Sequence, residues 1–319
     1  MKEAVIGMDI GGTNTDIALV DKKGLILSKT HLRTTDYPEF DSFANQVAQD
    51  VRSLTASVGV NLKALGIGAP NGNYYSGMIE FAPNLAWKGK IDVAGELYSR
   101  LELPVFVTND ANAAAIGEMK FGVAGEMNDF VMITLGTGVG SGVVANGQLI
   151  YGHDGFAGEI GHMTSTPGGR LCGCGRKGCL ETYSSVTGLR KSVVFMHEEQ
   201  KMAGKLENIP YENLTGKMIE IAALEGDVVA KEAFRLAGKE LGKALANVAA
   251  VTSPSHIVLF GGMAAAGPLI FEPLKKYLEE NLLTIYKNKI EILPSGLDGN
   301  NAAILGAAAL AWNELDKLK

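Results

Sequence analysis

The chain has 319 residues, a formal net charge of −6 and 46% hydrophobic residues. This length suits two domains of ordinary size or one large one. The mildly acidic balance argues against a nucleic-acid-binding surface, which usually needs a basic stripe. No apolar run approaches the roughly 20 residues that span a bilayer, and the N-terminus lacks the features of a signal peptide. We therefore expect a cytoplasmic protein, with neither nucleic acid nor a membrane as a partner.

The first half of the chain reads as alternating strands and helices. The apolar run from Ala4 to Asp9 predicts a buried strand that ends in the tight turn Gly11-Gly12-Thr13. The elements predicted after it are strands at 17–20, 25–29, 64–68 and 105–108 and helices at 40–58 and 109–121.

The pattern then restarts, which indicates a weak internal duplication of an α/β unit. A predicted strand at 130–135 is followed by a glycine turn at 136–142 and further strands at 142–145 and near 149–150. The region from 182 to 250 is rich in helical patterns. A last buried strand at 257–260 runs into Gly261-Gly262, and Asn300-Asn301 opens a final helix at 302–315.

Two of the glycine turns are candidate phosphate-binding sites, namely Asp9 to Thr13 and Gly136 to Gly140. Backbone N–H groups and a threonine hydroxyl in such turns can cradle phosphate oxygens, and an aspartate that ends a buried strand can hold Mg²⁺ through water. The alternative is a pair of ordinary hairpin turns.

The Gly-x-Gly-x-x-Gly at 173–178 has no strand before it and is not a dinucleotide-binding fingerprint.

The three cysteines lie within eight residues, which is a poor disulfide framework and a better metal cluster. Together with His162, the thiolates of Cys172, Cys174 and Cys179 complete the closed tetrahedral shell typical of structural zinc. Such a shell leaves no position for a catalytic water. The alternative is three buried free thiols.

The other histidines, His197 among them, are predicted at the surface or in loops.

With these motifs, the sequence resembles the ROK family of sugar kinases and repressors, within the actin and hexokinase superfamily. Asp9 to Thr13 resembles the first phosphate motif, Gly136 to Gly140 the second, and Leu259 to Gly262 the adenosine motif. Residues 109–117 and 301–309 resemble the two connecting helices. The resemblance covers nearly the whole chain.

This resemblance implies an α/β fold of two ribonuclease-H-like, actin-like ATPase domains around a cleft. Residues 1–115, rejoined by 302–319, would form the smaller domain, and 116–301 the larger domain with the zinc and ATP sites.

Gly117 and Gly306 lie inside the connecting helices, where glycine costs about 1 kcal/mol relative to alanine. A close approach of the two helices would explain that cost.

The resemblance further implies ATP-dependent phosphorylation of a hexose 6-hydroxyl, with glucose as the expected hexose and Asp110 as the general base. A helix N-cap is the alternative role for Asn109 and Asp110. The implied sugar contacts are Gly68, Asn84, Asn109, Asp110, Glu159, His162 and Glu181. The implied contacts of ATP and Mg²⁺ are Asp9, Gly11, Gly12, Thr13, Gly136, Thr137, Gly138, Gly261 and Gly262.

Several alternatives stay open at this point. Kinases for N-acetylglucosamine, N-acetylmannosamine or fructose share these motifs, and polyphosphate is a second possible donor. A sugar-responsive regulator without catalysis is the alternative of a different class, but the family's repressors carry a helix-turn-helix region before the first phosphate motif, and here the first strand begins by Ala4. The family also leads us to expect a homodimer.

The sequence departs from the family at a loop that usually reads Gly-x-Pro-Gly and here reads Gly68-Ala69-Pro70-Asn71. Asparagine tolerates the left-handed conformation better than most residues, so the turn is expected to survive. Asn14 stands where lysine is common, and Ser141 where glycine is common.

Overall fold

The computed structural model describes residues 2–297, 299 and 301–318. The strands, in chain order, are β1 (Glu3–Ile10), β2 (Asn14–Asp21), β3 (Ile26–Arg33), β4 (Asn61–Gly68), β5 (Ile79–Glu80), β6 (Lys90–Ile91), β7 (Val105–Thr108), β8 (Phe130–Leu135), β9 (Val139–Ala145), β10 (Gln148–Leu149), β11 (His256–Phe260) and β12 (Glu291–Pro294). Within the described residues they form two five-stranded sheets and one two-stranded ribbon.

The α-helices, in chain order, are α1 (Phe40–Val58), α2 (Val93–Leu101), α3 (Asp110–Phe121), α4 (Glu181–Ser184), α5 (Val186–Glu198), α6 (Gly216–Leu224), α7 (Val228–Thr252), α8 (Pro268–Asn281) and α9 (Ala302–Lys317). None of the helices in the described part of the chain combines the length and apolarity that a bilayer span requires.

The chain forms two compact units. The first comprises residues 1–127, 148–157 and 295–319, and the second comprises 128–147 and 158–294. This division differs from the expected boundary after residue 115, because that residue lies inside the continuous helix α3, which packs against α9 within the first unit. Met1, Asp298, Asn300 and Lys319, which the predicted elements or domains included, lie outside the described residues.

The first sheet has the strand order β3–β2–β1–β4–β7, with β1, β4 and β7 parallel. Its two faces are covered by different helices, because successive residues of a strand point to opposite faces. Ile6 and Met8 of β1 belong to a buried cluster with Phe43 of α1, whereas Val5 packs with Trp312 of α9. Strand β1 is therefore buried on both faces over most of its length, as its largely apolar sequence predicts.

Helices α3 and α9 touch backbone to backbone. A methyl group added at Gly306 would lie 2.4 Å from the carbonyl oxygen of Ala113, and one added at Gly117 would lie 2.9 Å from Cα of Gly306. The close helix approach expected from these two glycines is confirmed. It fixes helix α3, which begins at Asp110, against the C-terminal helix.

The second sheet repeats the topology of the first. Strands β8 and β9 form an antiparallel hairpin, and β11 and β12 continue the sheet parallel to β8 in the order β9–β8–β11–β12. Helices α5, α7 and α8 contribute to the main buried cluster of this unit. An antiparallel hairpin continued by parallel strands is thus present twice, which confirms the predicted duplication.

Candidate active site

Residues from three parallel strands meet at one edge of the first sheet. Asp9 on β1 is opposite Gly68 on β4, and Gly68 is opposite Thr108 on β7. All three strands end here, since parallel strands share a carboxyl edge. A methyl group added at Gly68 would lie 3.9 Å from Oδ1 of Asp9 and 3.9 Å from Cα of Asp110. The fold therefore brings Asp9, Gly68 and Asp110 together, as expected of one site.

Of the two residues that the sequence offered as a helix N-cap, Asn109 takes that role. Oδ1 of Asn109 accepts a hydrogen bond of 2.7 Å from the backbone N–H of Asn112, so Asn109 is the N-cap of helix α3. Asp110 is the first helical residue, and its carboxylate accepts from the N–H of Ala111 at 2.9 Å. Asp110 stays accessible to solvent.

The two aspartates have raised pKa values. Burial raises the pKa of Asp9 to about 7, and the nearby carboxylates of Asp110 and Asp16 add to the shift. Loss of hydration inside the surrounding protein also raises the pKa of Asp110, even though this side chain keeps accessible surface and the hydrogen bond from Ala111 opposes the shift. A carboxylate with a raised pKa is a stronger proton acceptor near neutral pH.

The turn predicted to bind phosphate, Asp9 to Thr13, packs directly on the loop that carries Asn84. The N–H of Gly11 donates to the carbonyl of Asn14 at 2.8 Å and closes the turn. A methyl group added at Gly12 would lie 2.5 Å from the carbonyl oxygen of Asn84. Trp87, which is buried against Phe43, anchors the same loop. The predicted phosphate contact Gly12 and the predicted sugar contact Asn84 are therefore neighbours.

The loop after β4 keeps its turn despite its unusual sequence. Asn71 has a φ of 52°, which is the left-handed conformation expected for this position. Its side-chain amide donates to the carbonyl of Glu80 at 3.0 Å. The departure from the family pattern thus leaves the backbone beside Gly68 intact.

In the second unit, the other two glycine motifs also lie side by side. Thr134 on β8 is opposite Phe260 on β11, so the turns that follow both strands emerge at one edge of the sheet. Gly261 has a φ of 103°, and a methyl group there would lie 2.6 Å from the carbonyl oxygen of Leu135. By contrast, a methyl group at Gly136 or Gly262 would meet no atom within 4 Å. These turns therefore present open backbone.

The predicted metal ligands converge in the second unit. The ligand atoms of His162, Cys172, Cys174 and Cys179 all lie within 4.8 Å of one another. Nδ1 of His162 is 3.6 Å from Sγ of Cys172, and the Sγ atoms of Cys174 and Cys179 are 3.6 Å apart. Zinc bonds of about 2.3 Å to sulfur and 2.0 Å to nitrogen require tetrahedral edges of about 3.5 to 3.8 Å. The four residues fit a zinc ion.

Two carboxylates flank the cluster. Nε2 of His162 lies 3.9 Å from Glu159, while Glu181 lies 3.8 Å from Nδ1. Oε1 of Glu181 is also 2.9 Å from Sγ of Cys172. A methyl group added at Gly138 would lie 2.7 Å from Oε2 of Glu181, so this carboxylate sits between the cysteines and the second phosphate turn. The predicted sugar contacts of the second unit thus gather around His162.

Sequence reasoning missed Asp16. It lies directly opposite Asp9 across the β1–β2 ladder, and Nδ1 of His31 on β3 is 3.0 Å from its carboxylate. The signal that could have found it is the hairpin register: the turn pairs residue 9 with residue 16, and directly opposite residues share a face of the sheet.

Comparisons with known proteins extend over almost the whole chain. The sequence profile of the ROK family matches residues 5–314. A glucokinase from Streptomyces coelicolor is 35% identical over 311 residues, which cover 96% of each chain. A ROK family glucokinase from Streptomyces griseus, solved in complex with glucose and AMPPNP, is 34% identical with a TM-score of 0.79 and is matched over 97% of this chain and 99% of its own. A xylose repressor from Bacillus spizizenii is 30% identical, over 96% of this chain and 76% of the repressor.

Proposed function

This chain belongs to the ROK family, and from that premise we propose that it is an ATP-dependent sugar kinase that phosphorylates the 6-hydroxyl of a hexose, with glucose as the expected substrate. The observation that carries the proposal is the position of Asp110. It begins helix α3 at the carboxyl edge of the first sheet, accessible to solvent and beside Asp9. This is the arrangement that phosphoryl transfer needs for a proton acceptor near a metal-binding carboxylate.

In the proposed reaction, the 6-hydroxyl oxygen of the sugar attacks the γ-phosphorus of ATP. The bond from that phosphorus to the bridging oxygen breaks, and its electron pair leaves with ADP. Asp110 accepts the hydroxyl proton, which its raised pKa favours. Mg²⁺, when bound, would neutralise charge on the phosphates, and Asp9 would hold it through water. The sugar hydroxyl is positioned by Asn109 and Asn84.

Nucleotide binding is assigned to the glycine turns. Gly11, Gly12 and Thr13 of the first turn, and Gly136, Thr137 and Gly138 of the second, would contact the phosphates. Gly261 and Gly262 would lie against the adenosine. The open backbone at Gly136 and Gly262 supports this role, because phosphate and adenosine must approach the main chain closely. The AMPPNP complex of the related glucokinase from Streptomyces griseus supports ATP as the donor.

Sugar recognition in the second unit is assigned to Glu159, His162 and Glu181, together with a structural zinc ion. Carboxylates accept hydrogen bonds from sugar hydroxyls. The Nδ1 atom of His162 faces the thiols, which leaves Nε2 directed toward Glu159. Zinc held by the three cysteines and Nδ1 would fix the ring of His162 and so the donor that Nε2 presents to the sugar. The glucose complex of the same relative supports a hexose substrate.

We expect a homodimer in the cytoplasm. We assign no role to nucleic acid or to a membrane.

An ADP-release assay tests the proposal. The protein is incubated with Mg²⁺, ATP and each of glucose, fructose, N-acetylglucosamine and N-acetylmannosamine, and then with polyphosphate in place of ATP. Strong turnover on glucose with ATP is the expected result. Turnover on another of these sugars would correct the substrate and keep the reaction. Absence of turnover on every sugar and donor, in protein that binds both zinc and ATP, would contradict catalysis and favour a sugar-responsive regulator.

A further inference from the structure

Glu118 is a fully buried carboxylate that the reaction does not use. It lies on helix α3 with no accessible surface. Oε2 accepts hydrogen bonds from the backbone N–H groups of Val123, at 2.9 Å, and Gly296, at 3.3 Å. Oε1 accepts a short hydrogen bond from the hydroxyl of Ser295. These three hydrogen bonds converge on one carboxyl group, so this residue ties its partners to the helix.

The partners of Glu118 lie on two segments that connect the units. The chain first leaves the first unit after Met127, shortly beyond Val123, returns to it for residues 148–157, and enters it for the last time at Ser295. Glu118 therefore holds an outgoing and a returning segment on the same helix, although Glu118 and Ser295 are 177 residues apart in sequence.

Two glycines are fitted to this carboxylate and to the segments that it joins. A methyl group at Gly122 would lie 2.0 Å from Oε2 of Glu118, so any side chain there would displace the carboxylate. A methyl group at Gly296 would lie 2.9 Å from the backbone nitrogen of Val123. The two segments thus touch each other at the point where Glu118 binds both.

Helix α3 connects this point with the candidate base. Asp110 is its first residue and Glu118 lies eight residues later, about 12 Å along the axis at 1.5 Å per residue. The backbone contact between Gly117 and Gly306 holds the helix on α9 between these points. Helix α3 is continuous between Glu118 and Asp110 and is packed on α9. Because the two ends of the helix shift together, a displacement at Glu118 is carried to Asp110.

We propose that Glu118 is a positioning residue for the phosphoryl transfer described above, an inference that rests on the proposed function. By binding Val123, Ser295 and Gly296, it keeps the two connecting segments and helix α3 in one fixed arrangement. Any change in the path of the segments on substrate binding then sets the position of Asp110. Loss of the carboxylate would uncouple the segments from the base.

The test compares Glu118→Gln with Asp21→Asn. Asp21 is also a buried carboxylate of the first unit, and it accepts two backbone hydrogen bonds of 2.9 Å from Lys23 and Leu25. It is the last residue of β2, and its carboxylate binds Lys2, Lys23 and Leu25, none of which belongs to the connecting segments. Both variants should lower Tm. Only Glu118→Gln should lower kcat, by about ten- to a hundred-fold, because small misplacements of a reacting group cost this much. Its Kd for AMPPNP should stay unchanged.

Hydrogen exchange compared between the two variants separates a local change at the start of α3 from a general loss of stability, which would speed exchange in both. The amides of Asn112 and Ala113 bond to Asn109 at the start of α3. Glu118→Gln should speed their exchange in the presence of sugar and AMPPNP, whereas Asp21→Asn should not. If Glu118→Gln fails to fold, Ser295→Ala removes one hydroxyl donor and should give a smaller change in the same direction.

The outcomes separate this inference from the proposed function. If the wild-type protein phosphorylates a sugar and the Glu118 and Ser295 variants match Asp21→Asn in kcat and exchange, the positioning role is refuted and the kinase stands. If the wild-type protein phosphorylates no sugar, the proposed function fails. In that case, faster exchange at Asn112 in Glu118→Gln still supports the mechanical coupling, and unchanged exchange overturns it.

Discussion

Substitution of Gly12 by alanine tests how closely the proposed phosphate turn and the loop that carries Asn84 must approach. The added methyl carbon would lie 2.5 Å from the carbonyl oxygen of Asn84 and 3.3 Å from its Cβ. Since carbon–oxygen contacts are ordinarily at least about 3.3 Å, the turn and the loop must separate by about 0.8 Å. A displacement near 1 Å can cost about a hundred-fold in rate. We therefore expect kcat/KM for the sugar to fall by about ten- to a hundred-fold.

The assay measures kcat and KM for sugar and ATP in Gly12→Ala, beside a matched control. Gly125→Ala adds the same methyl group in the same unit, where its nearest contact would be 3.7 Å from the carbonyl oxygen of Met119. The control should keep wild-type kinetics. If Gly12→Ala also keeps wild-type kcat/KM while remaining folded, the contact with Asn84 does not position either substrate, and the reasoning is refuted.

Three further predictions concern the metal, the acidic edge and the helix pair. Cys174→Ser should remove zinc and raise KM for the sugar, because His162 loses its orientation; elemental analysis that finds one zinc per chain in the variant would contradict the cluster. In metal-free protein, Asp9 keeps a proton that the unfolded chain releases near pH 3.8, so its contribution to the free energy of unfolding should fall as pH rises from about 4 to about 7. Urea titrations across this range should show that fall in wild type relative to Asp9→Asn, and parallel curves would refute it. Gly306→Ala should lower Tm, since overpacking against Ala113 costs about 1–3 kcal/mol and outweighs a helix propensity gain of about 1 kcal/mol; an unchanged or higher Tm in calorimetry would contradict the close contact.

Much of the fold follows from local patterns in the sequence. The predicted bounds of α1, β7 and β8 agree with those observed, because each is a clear apolar pattern with a definite end. Helix α1, for example, stops at Gly59 in the left-handed conformation. The meeting of Asp9, Gly68 and Asp110 also follows once their strands are taken as parallel neighbours, since parallel strands end at one edge.

Other features depend on partners that are distant in sequence. Strand β3 runs to Arg33, beyond the predicted end at residue 29, because its polar second half pairs with β2. The prediction for His197 was wrong: it is buried on α5, with Nδ1 2.7 Å from the carbonyl of Met202. Glu118 reads in sequence as an ordinary helical glutamate, and only the return of the chain at Ser295 reveals what it binds.

The most direct test of the proposed kinase is the separation of kcat from sugar binding in Asp110→Asn. Asparagine keeps the size of the side chain and removes its basicity, so we expect kcat to fall by about a hundred- to ten-thousand-fold, the usual contribution of a general base. The Kd of the sugar, measured by calorimetry, should change little. A variant that keeps kcat and loses only sugar affinity would show that Asp110 binds the substrate without acting as its base.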